Sequence, residues 1–388
     1  MPARRIAILG STGNIGVQTL QVVDALRADG QEIDVVALVA YRNAAVLAEQ
    51  AKRYRPKVVA LADESADGAR DALAGTGARF LCGASALSEV ARLAEVDTVV
   101  HAVVGAAGLA ASFAAAEAGK TLALANKESL VVGGTLLVEA ARRGEATILP
   151  VDSEHSAVFQ ALQCGRREEI DRVLLTASGG PFRTWPMERI RDATVADALA
   201  HPTWSMGDRI TVGSATLFNK ALEIIEAVHL FDLRPEQVQV VVHPESVIHS
   251  MVEYCDGSVM AQLSPPDMKT PIGYSLTWPA RGRPGGRRMD WREAATLHFE
   301  PPDEVRFPAL RLAREALAAG GTAPAILNAA NEVAVERFLA GRLGFGRISE
   351  VVEETLQQLP VEPVTSQECL LSADAQARQR AGMLADRS

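Results

Sequence analysis

Arg5-Ile-Ala-Ile-Leu-Gly10-Ser-Thr-Gly13-Asn-Ile-Gly16 decides how the first domain of this chain folds. An apolar run ends at a glycine, two more glycines follow at three-residue spacing, and a helical pattern runs from Ile15 to Arg27. Strand, glycine turn and helix in that order open a βαβ unit. There the helix N-terminus offers N–H donors and positive potential to an anion. The spacing GxxGxxG is less specific than GxGxxG. Alone, the turn reads either as a phosphate-binding turn or as a tight structural one.

Outward from it, apolar strands recur at Asp34–Ala40, Val58–Leu61, Arg79–Cys82, Thr98–Val104 and Thr121–Ala125, with helical segments between most of them. Strands this apolar are buried on both faces, as in a parallel sheet with helices on each side. The expectation is an α/β, Rossmann-like domain. The second strand runs out into Tyr41-Arg42-Asn43. A domain built for NAD places an acid there for the ribose hydroxyls, whereas an arginine suits a 2′-phosphate. This favours NADPH, with an exposed loop charge as the other reading of Arg42. Asn126-Lys127-Glu128-Ser129 follows a strand and opens a helix, at the end of the sheet where ligand crevices form. The same residues also suit an ordinary first helical turn.

From Thr147 the texture changes. Thr147-Ile-Leu-Pro-Val-Asp-Ser-Glu-His-Ser156 ends an apolar strand in two carboxylates, Asp152 and Glu154. In an extended segment, i and i+2 share a face and His155 points the other way. Two adjacent anions need a proton, a basic side chain or a divalent cation. No Cys or His stands at zinc spacing, so a cation here would be hard, Mg²⁺ or Mn²⁺, on oxygen ligands. A third carboxylate is wanted, and position does not choose it. A helical piece from Ser156 to Gln163 and a strand at 172–177 come next. The aperiodic stretch 181–212 has the character of a lid. A helix is expected from about Ser214 to Leu230, then a hairpin-like pair at Val238–Val242 and His249–Tyr254, then Ser258–Leu263. On that helix Asn219, Lys220 and Glu223 fall within about one turn, and Asn219 and Glu223 share a face. Ser214 near its start is placed for a phosphate, or simply caps an amphipathic helix.

The bulk numbers narrow the classes. Hydrophobic content of 48% and charged content of 22% over 388 residues suit a soluble protein of two or three domains. A net charge of −9 and the lack of a basic stripe argue against nucleic acid. The one basic cluster, Arg281-Gly-Arg-Pro-Gly-Gly-Arg-Arg288, reads as a solvated linker. Four scattered cysteines, Cys82, Cys164, Cys255 and Cys369, read as reduced thiols. An apolar strand starts straight after Arg4–Arg5, which leaves no room for a leader, and Thr98–Gly119 reads as a buried strand and helix rather than a membrane span. The expectation is a cytoplasmic protein with no membrane partner. After Pro308 helical patterns cover 308–319, 323–340, 347–358 and 367–385, a small bundle.

Six segments together resemble 1-deoxy-D-xylulose 5-phosphate reductoisomerases, the NADPH- and metal-dependent family of the non-mevalonate isoprenoid pathway. They are Gly10-Ser-Thr-Gly-Asn-Ile-Gly16, Ala123-Leu-Ala-Asn-Lys-Glu-Ser129, Pro150-Val-Asp-Ser-Glu-His155, Ser178-Gly-Gly-Pro-Phe182, His201-Pro-Thr-Trp-Ser-Met-Gly207 and Ser214-Ala-Thr-Leu-Phe-Asn-Lys220. They stand in the family's order between about residues 6 and 275. The resemblance implies an α/β protein with an N-terminal Rossmann-like NADPH domain at 1–146. An α/β catalytic domain with a flap at 201–209 would cover 147–280, a linker 281–307, and a C-terminal helical bundle 308–388. It chooses Glu223 as the third metal ligand beside Asp152 and Glu154, with Lys127 joining these three as catalytic. Lys127, Ser153, Glu154 and Glu223 would meet the substrate's hydroxyl and carbonyl region. Ser178, His201, Ser214, Asn219 and Lys220 would gather its phosphate, with Trp204 and Met206 closing over it. Thr12, Gly13, Asn14, Ile15, Tyr41, Arg42, Asn43, Asn126, Glu128 and Gly207 would line the NADPH site.

The implied reaction rearranges a small phosphorylated ketose and reduces the product to 2-C-methyl-D-erythritol 4-phosphate, in a homodimer. The alternatives are a simple NADP-dependent dehydrogenase of a phosphorylated aldehyde and a non-catalytic NADPH-binding module. Three positions depart from the family pattern. Asn14 stands for a common Ser, Tyr41 for a frequent Gly, and Gly213 for a usual Asp before Ser214.

Overall fold

The computed structural model describes residues 3–64, 73, 75–204, 206–292 and 296–387. The chain folds as two compact units. The first is Met1–Ser129, Leu137–Ser156 and Asp267–Arg287; the second is Leu130–Leu136, Ala157–Pro266 and Arg288–Ser388.

The first unit is built on a parallel sheet of seven strands: β1 (Arg4–Leu9), β2 (Ile33–Ala40), β3 (Val58–Leu61), β4 (Arg79–Cys82), β5 (Thr98–His101), β6 (Thr121–Leu124) and β7 (Thr147–Pro150). Their spatial order is β4-β3-β2-β1-β5-β6-β7. From β1 the chain winds outward one way to β4, then returns to the other side of β1 for β5. The strand order therefore reverses at β1 and β5, and a doubly wound sheet opens its ligand crevice at such a point. Ile6 to Leu9 and Val58 to Leu61 are wholly buried, as their unbroken apolar runs require. Helices Asn14–Ala28, Ala44–Tyr54, Ala86–Ala91 and Leu109–Glu117 connect successive strands. Residues 267–287 return to this unit. Helix Lys269–Thr277 lies on helix Asn14–Ala28 and adds Ile272 and Leu276 to the core. Each of these two side chains stabilises the unit by roughly 1.5–3 kcal/mol through burial.

The second unit has a four-stranded sheet ordered β11-β10-β8-β9, where β8 is Ile170–Ala177, β9 Val238–Val242, β10 Ile248–Tyr254 and β11 Val259–Leu263. β8 pairs with β9 in parallel and with β10 antiparallel. The expected β9–β10 hairpin is therefore wrong: the two strands flank β8. The connection between them passes over the end of β8, where His243 N donates to Ala177 O at 2.7 Å. The true hairpin is β10–β11, turned at Gly257 with φ of 83°.

The expected helix from Ser214 is also two helices, Asp208–Ala215 and Phe218–Phe231. Leu217 breaks them with φ of 60°. A left-handed leucine is uncommon, so nothing local announces the break. The aperiodic stretch holds two short helices, Met187–Arg191 and Val195–Leu199. The second starts on a capping box, with Thr194 Oγ1 accepting from Asp197 N at 3.2 Å. The C-terminal helices are Ala309–Ala319, Ala323–Leu339, Arg347–Gln358 and Gln367–Ala385. Ala323–Leu339 packs against the other three. Its twelve buried residues leave no wide polar face, which marks a central helix. The expected linker 281–307 contains no named helix or strand among its described residues, and 293–295 lie outside them. Among the described residues, no helix is long and apolar enough to cross a membrane.

Candidate active site

The glycine turn of the first unit joins β1 to its helix. Gly10 N and Ser11 N both donate to Val39 O on β2, each at 2.8 Å. A Cβ on Gly16 would stand 2.3 Å from Gly10 O, so only glycine lets the helix start this close to the turn. Gly13 caps that helix with no side chain, which leaves its N-terminus open to an anion. Thr12 and Ile15 are half-buried and Gly13 and Asn14 exposed beside it. Asn14 Oδ1 accepts from Gln18 at 2.8 Å, so the Asn at this position supports its own helix. At the end of β2, Tyr41, Arg42 and Asn43 are all exposed. The Arg42 guanidinium lies 5.6 Å from the Tyr41 ring centre, and Asn43 caps the next helix by accepting from Val46 N at 3.2 Å. Tyr41, with its large exposed ring, is thus a shelf for the arginine beside it.

Asn126 works inward. Its amide nitrogen donates to Val103 O, Gly105 O and Glu128 Oε2 at 2.8, 3.0 and 2.9 Å, and its oxygen accepts from Ser129 N at 3.1 Å. It shapes the loop after β5 and caps the helix Lys127–Arg143.

The carboxylate pair converges for a different reason than alternation along a strand. β7 stops at Pro150 and a helix, Ser153–Ala161, starts directly. Asp152 sits at its head: Ser156 N donates to Asp152 O at 2.8 Å, and Ser153 N to Asp152 Oδ1 at 3.0 Å. Glu154 lies in the first helical turn, where Ser153 Oγ donates to Glu154 Oε2 at 2.5 Å. The expected extended segment is therefore absent. His155 does not point away either: its ring is fully buried, with Nδ1 3.9 Å from Asp152 Oδ2. Lys127 Nζ reaches Asp152 Oδ2 at 2.5 Å, both side chains being mostly shielded from water. The structure places a basic side chain, Lys127, against Asp152, and the Ser153 hydroxyl against Glu154. Lys127, Asp152 and Glu154 then carry one positive and two negative formal charges, a set that favours a hard cation.

In the second unit Ser178, His201 and Ser214 meet. His201 Nε2 lies 3.0 Å from Ser178 Oγ and 3.1 Å from Ser214 Oγ. Its Nδ1 accepts from Trp204 N at 2.9 Å and from Thr203 N at 3.2 Å. A nitrogen that accepts from two backbone amides carries no proton, so the neutral ring holds its hydrogen on Nε2, shared between the two hydroxyls. Burial pushes the His201 pKa down, which agrees with a neutral ring. Ser214 occupies the last turn of helix Asp208–Ala215, not the start of the next one as its sequence position suggested. Gly180, with φ of 66°, would bring a Cβ within 2.7 Å of Ser214 O. A glycine there lets the Ser178–Gly180 turn reach that helix end. Asn219, Lys220 and Glu223 share one face of helix Phe218–Phe231. Asn219 Nδ2 donates to Glu223 Oε1 at 2.6 Å, and Lys220 Nζ pairs with Glu223 Oε2.

In the flap, Trp204 and Met206 are half-buried and Gly207 caps helix Asp208–Ala215, whereas Ser205 lies outside the described residues. The Trp204 ring lies 6.0 Å from that of His249. Sequence reasoning missed two contributors. His249 supports the flap tryptophan and reads in sequence as an ordinary strand residue. Gln50, mid-helix, bonds the carbonyl of Ser11 in the glycine turn at 2.8 Å, and no local signal marks it.

Three family models match in succession: 1-deoxy-D-xylulose 5-phosphate reductoisomerase over residues 6–134, the C-terminal domain of 1-deoxy-D-xylulose 5-phosphate reductoisomerase over 148–231, and the DXP reductoisomerase C-terminal domain over 263–380. The 1-deoxy-D-xylulose 5-phosphate reductoisomerase of Rhodospirillum centenum is 53% identical over 97% of this chain and 93% of its own. The chain belongs to the 1-deoxy-D-xylulose 5-phosphate reductoisomerase family. A second reductoisomerase, from Rhizobium rhizogenes, is 50% identical over 98% of this chain and 96% of its own. Among solved structures, the Zymomonas mobilis reductoisomerase in complex with NADPH superposes with a TM-score of 0.92 at 43% identity, covering all of both chains. A reductoisomerase in complex with NADPH, fosmidomycin and magnesium gives 0.92 at 40% identity over 98% of each chain. The α/β class and Rossmann-like first domain expected from the sequence agree with these likenesses.

Proposed function

We propose that this chain rearranges and reduces 1-deoxy-D-xylulose 5-phosphate to 2-C-methyl-D-erythritol 4-phosphate, in an NADPH- and divalent-metal-dependent step of isoprenoid precursor biosynthesis. The observation that carries this is reductoisomerase family membership along nearly the whole chain. The residue chemistry supports it. Asp152, Glu154 and Glu223 hold Mg²⁺ or Mn²⁺, and their carboxylate oxygens are the donors a hard cation selects. When bound, the metal polarises the ketose carbonyl, and NADPH supplies the hydride that reduces the rearranged aldehyde.

Lys127, fixed by Asp152, sets a positive charge beside the substrate's hydroxyl and carbonyl oxygens and can hold or pass on a proton there. Ser153 contacts the same region. Ser178 and Ser214 accept from His201, which turns their own hydroxyl hydrogens outward to the substrate phosphate. Asn219 and Lys220 complete that grip. Binding energy from the phosphate, remote from the reacting carbons, is available to close the 201–209 flap with Trp204 and Met206 and to exclude water. Thr12, Gly13, Asn14, Ile15, Tyr41, Arg42, Asn43, Asn126, Glu128 and Gly207 form the NADPH site, Asn126 by shaping the loop it bonds.

The proposal includes an NADPH-binding domain at 1–146, a catalytic domain at 147–280, a helical domain at 308–388, a homodimer, and a cytoplasmic location in keeping with the four free cysteines. The decisive experiment follows NADPH absorbance with 1-deoxy-D-xylulose 5-phosphate, with and without exhaustive chelation. Loss of absorbance that requires Mg²⁺ or Mn²⁺ supports the proposal. Turnover that survives chelation would mean a simple dehydrogenase, and NADPH binding without any turnover a cofactor-binding module. Glu223→Gln should weaken metal affinity and activity while NADPH still binds. Unchanged metal affinity would remove Glu223 from the ligand set.

A further inference from the structure

Helix Ala44–Tyr54 starts at Asn43 and, two turns on, reaches back to the glycine turn. Gln50 is buried, and its side-chain amide donates to Ser11 O at 2.8 Å across thirty-nine positions of sequence. The orientation of that amide is fixed by chemistry. A carbonyl only accepts, so the nitrogen faces Ser11 and the oxygen faces away. Gln50 Oε1 and Ser11 Oγ are buried without a hydrogen-bond partner among the described residues, so neither offers the turn another tether. The turn's donors, Gly10 N and Ser11 N, are held by Val39 O of β2, and its Ser11 acceptor is held by Gln50.

β2 and this helix are the two elements that flank Tyr41-Arg42-Asn43. The segment read as the 2′-phosphate site and the turn read as the pyrophosphate site are therefore locked together by one strand and one glutamine. We propose that Gln50 is a positioning residue for NADPH: a strut setting the spacing between the Gly10–Gly13 turn and the Tyr41–Asn43 segment, so that both phosphate groups engage at once. This rests on the NADPH reading of those two segments. A strut of this kind acts on how well two contacts are satisfied together. Its loss should therefore lower affinity for the cofactor with two phosphate sites more than for the cofactor with one.

The test titrates full-length parent, Gln50→Leu and Gln50→Glu with NADPH and with NADH by cofactor fluorescence, alongside steady-state kinetics. Gln50→Leu should bind NADPH about tenfold more weakly, the worth of one buried hydrogen bond. Its preference for NADPH over NADH should narrow. The kcat at saturating NADPH and the KM for the sugar phosphate should stay within about twofold of the parent, since the bond lies away from the substrate-contact residues. In Gln50→Glu the carboxylate cannot donate, but burial raises its pKa, and the protonated form can donate to Ser11 O. Lowering the pH should then restore NADPH affinity towards the parent. Parental NADPH affinity and preference in a folded Gln50→Leu would overturn the inference alone. A parent protein that binds no NADPH would overturn the cofactor reading beneath it as well. If Gln50→Leu does not fold, the glutamate variant decides: recovery at lower pH supports the strut, and affinity that stays low refutes it.

Discussion

Replacing Lys220 with Met removes the ammonium paired with Glu223 in a place closed to water, where the two side chains are 4% and 0% exposed. Asn219 Nδ2 still donates to Glu223 Oε1 at 2.6 Å, so the carboxylate keeps a neutral partner and loses this cation. Breaking one side of a buried pair costs about 3–5 kcal/mol, because a charge shielded from water loses a counter-charge. The retained amide bond places Lys220→Met near the lower figure. At about 2–4 °C per kcal/mol for units of 150–250 residues, the melting temperature should fall on the order of 10 °C. Glu223→Gln removes the carboxylate from the same pair and should also destabilise. The double variant removes both charges, so the cycle should show an interaction energy of at least about 2 kcal/mol. Urea denaturation of all four proteins without divalent cation measures it. A double variant as unstable as the sum of the singles would refute the pairing. A second arm adds Mg²⁺. If the ion binds here, it supplies the missing positive charge and should raise the melting temperature of Lys220→Met more than that of the parent. It should do little for Glu223→Gln.

Two glycines should respond in opposite directions to alanine. Gly213 lies inside helix Asp208–Ala215 with ordinary φ, and an added Cβ would first meet Asn219 at 3.5 Å, an ordinary contact. Gly213→Ala should stabilise by about 0.5–1 kcal/mol. Gly134 interrupts its helix at φ 45° and ψ −133°, with a Cβ only 3.2 Å from His229 Nε2. Gly134→Ala should cost about 1–3 kcal/mol, and equal urea midpoints for the two variants would contradict both readings. His101 governs an acid limit. Burial pushes its pKa down from 6.5 to about 4, against the weaker upward pull of its bond to Gly108 O. The unfolded chain takes up this proton first, so the contribution is intact above pH 6.5 and is lost as pH falls towards about 4. The loss is up to about 3 kcal/mol. His101→Gln should flatten that part of the stability–pH curve in urea titrations, and an unchanged slope would exclude the assignment.

The sheet of the first unit was legible because burial on both faces leaves an unbroken apolar run, and two of its strands, Val58–Leu61 and Arg79–Cys82, begin and end where the sequence places them. The second sheet was not, because β9 and β10 present the same apolar pattern whether they pair with each other or flank β8. Their ladders with β8, parallel for β9 and antiparallel for β10, decide it. Leu217 shows the same limit for a helix, since its left-handed φ comes from packing and has no residue-type signal. The carboxylate pair is more instructive. The right residues were chosen by a wrong geometry: Asp152 and Glu154 converge at a helix start, not along a strand. Lys127, the partner of Asp152, was noted at a strand end but not paired with the carboxylates, and its catalytic role came only through the family, yet a physical route to the pairing existed. β6 and β7 are consecutive strands, and consecutive strands neighbour each other about two-thirds of the time. The observed register sets Leu124 beside Pro150. Lys127 then stands three residues past one strand end and Asp152 two past the other, at the same edge of the sheet. An ammonium and a carboxylate so placed, both mostly shielded from water, have each other as the nearest remedy for lost hydration. Strand adjacency was therefore the missing premise, and with it the choice among proton, base and cation narrows at Asp152 before any relative is consulted.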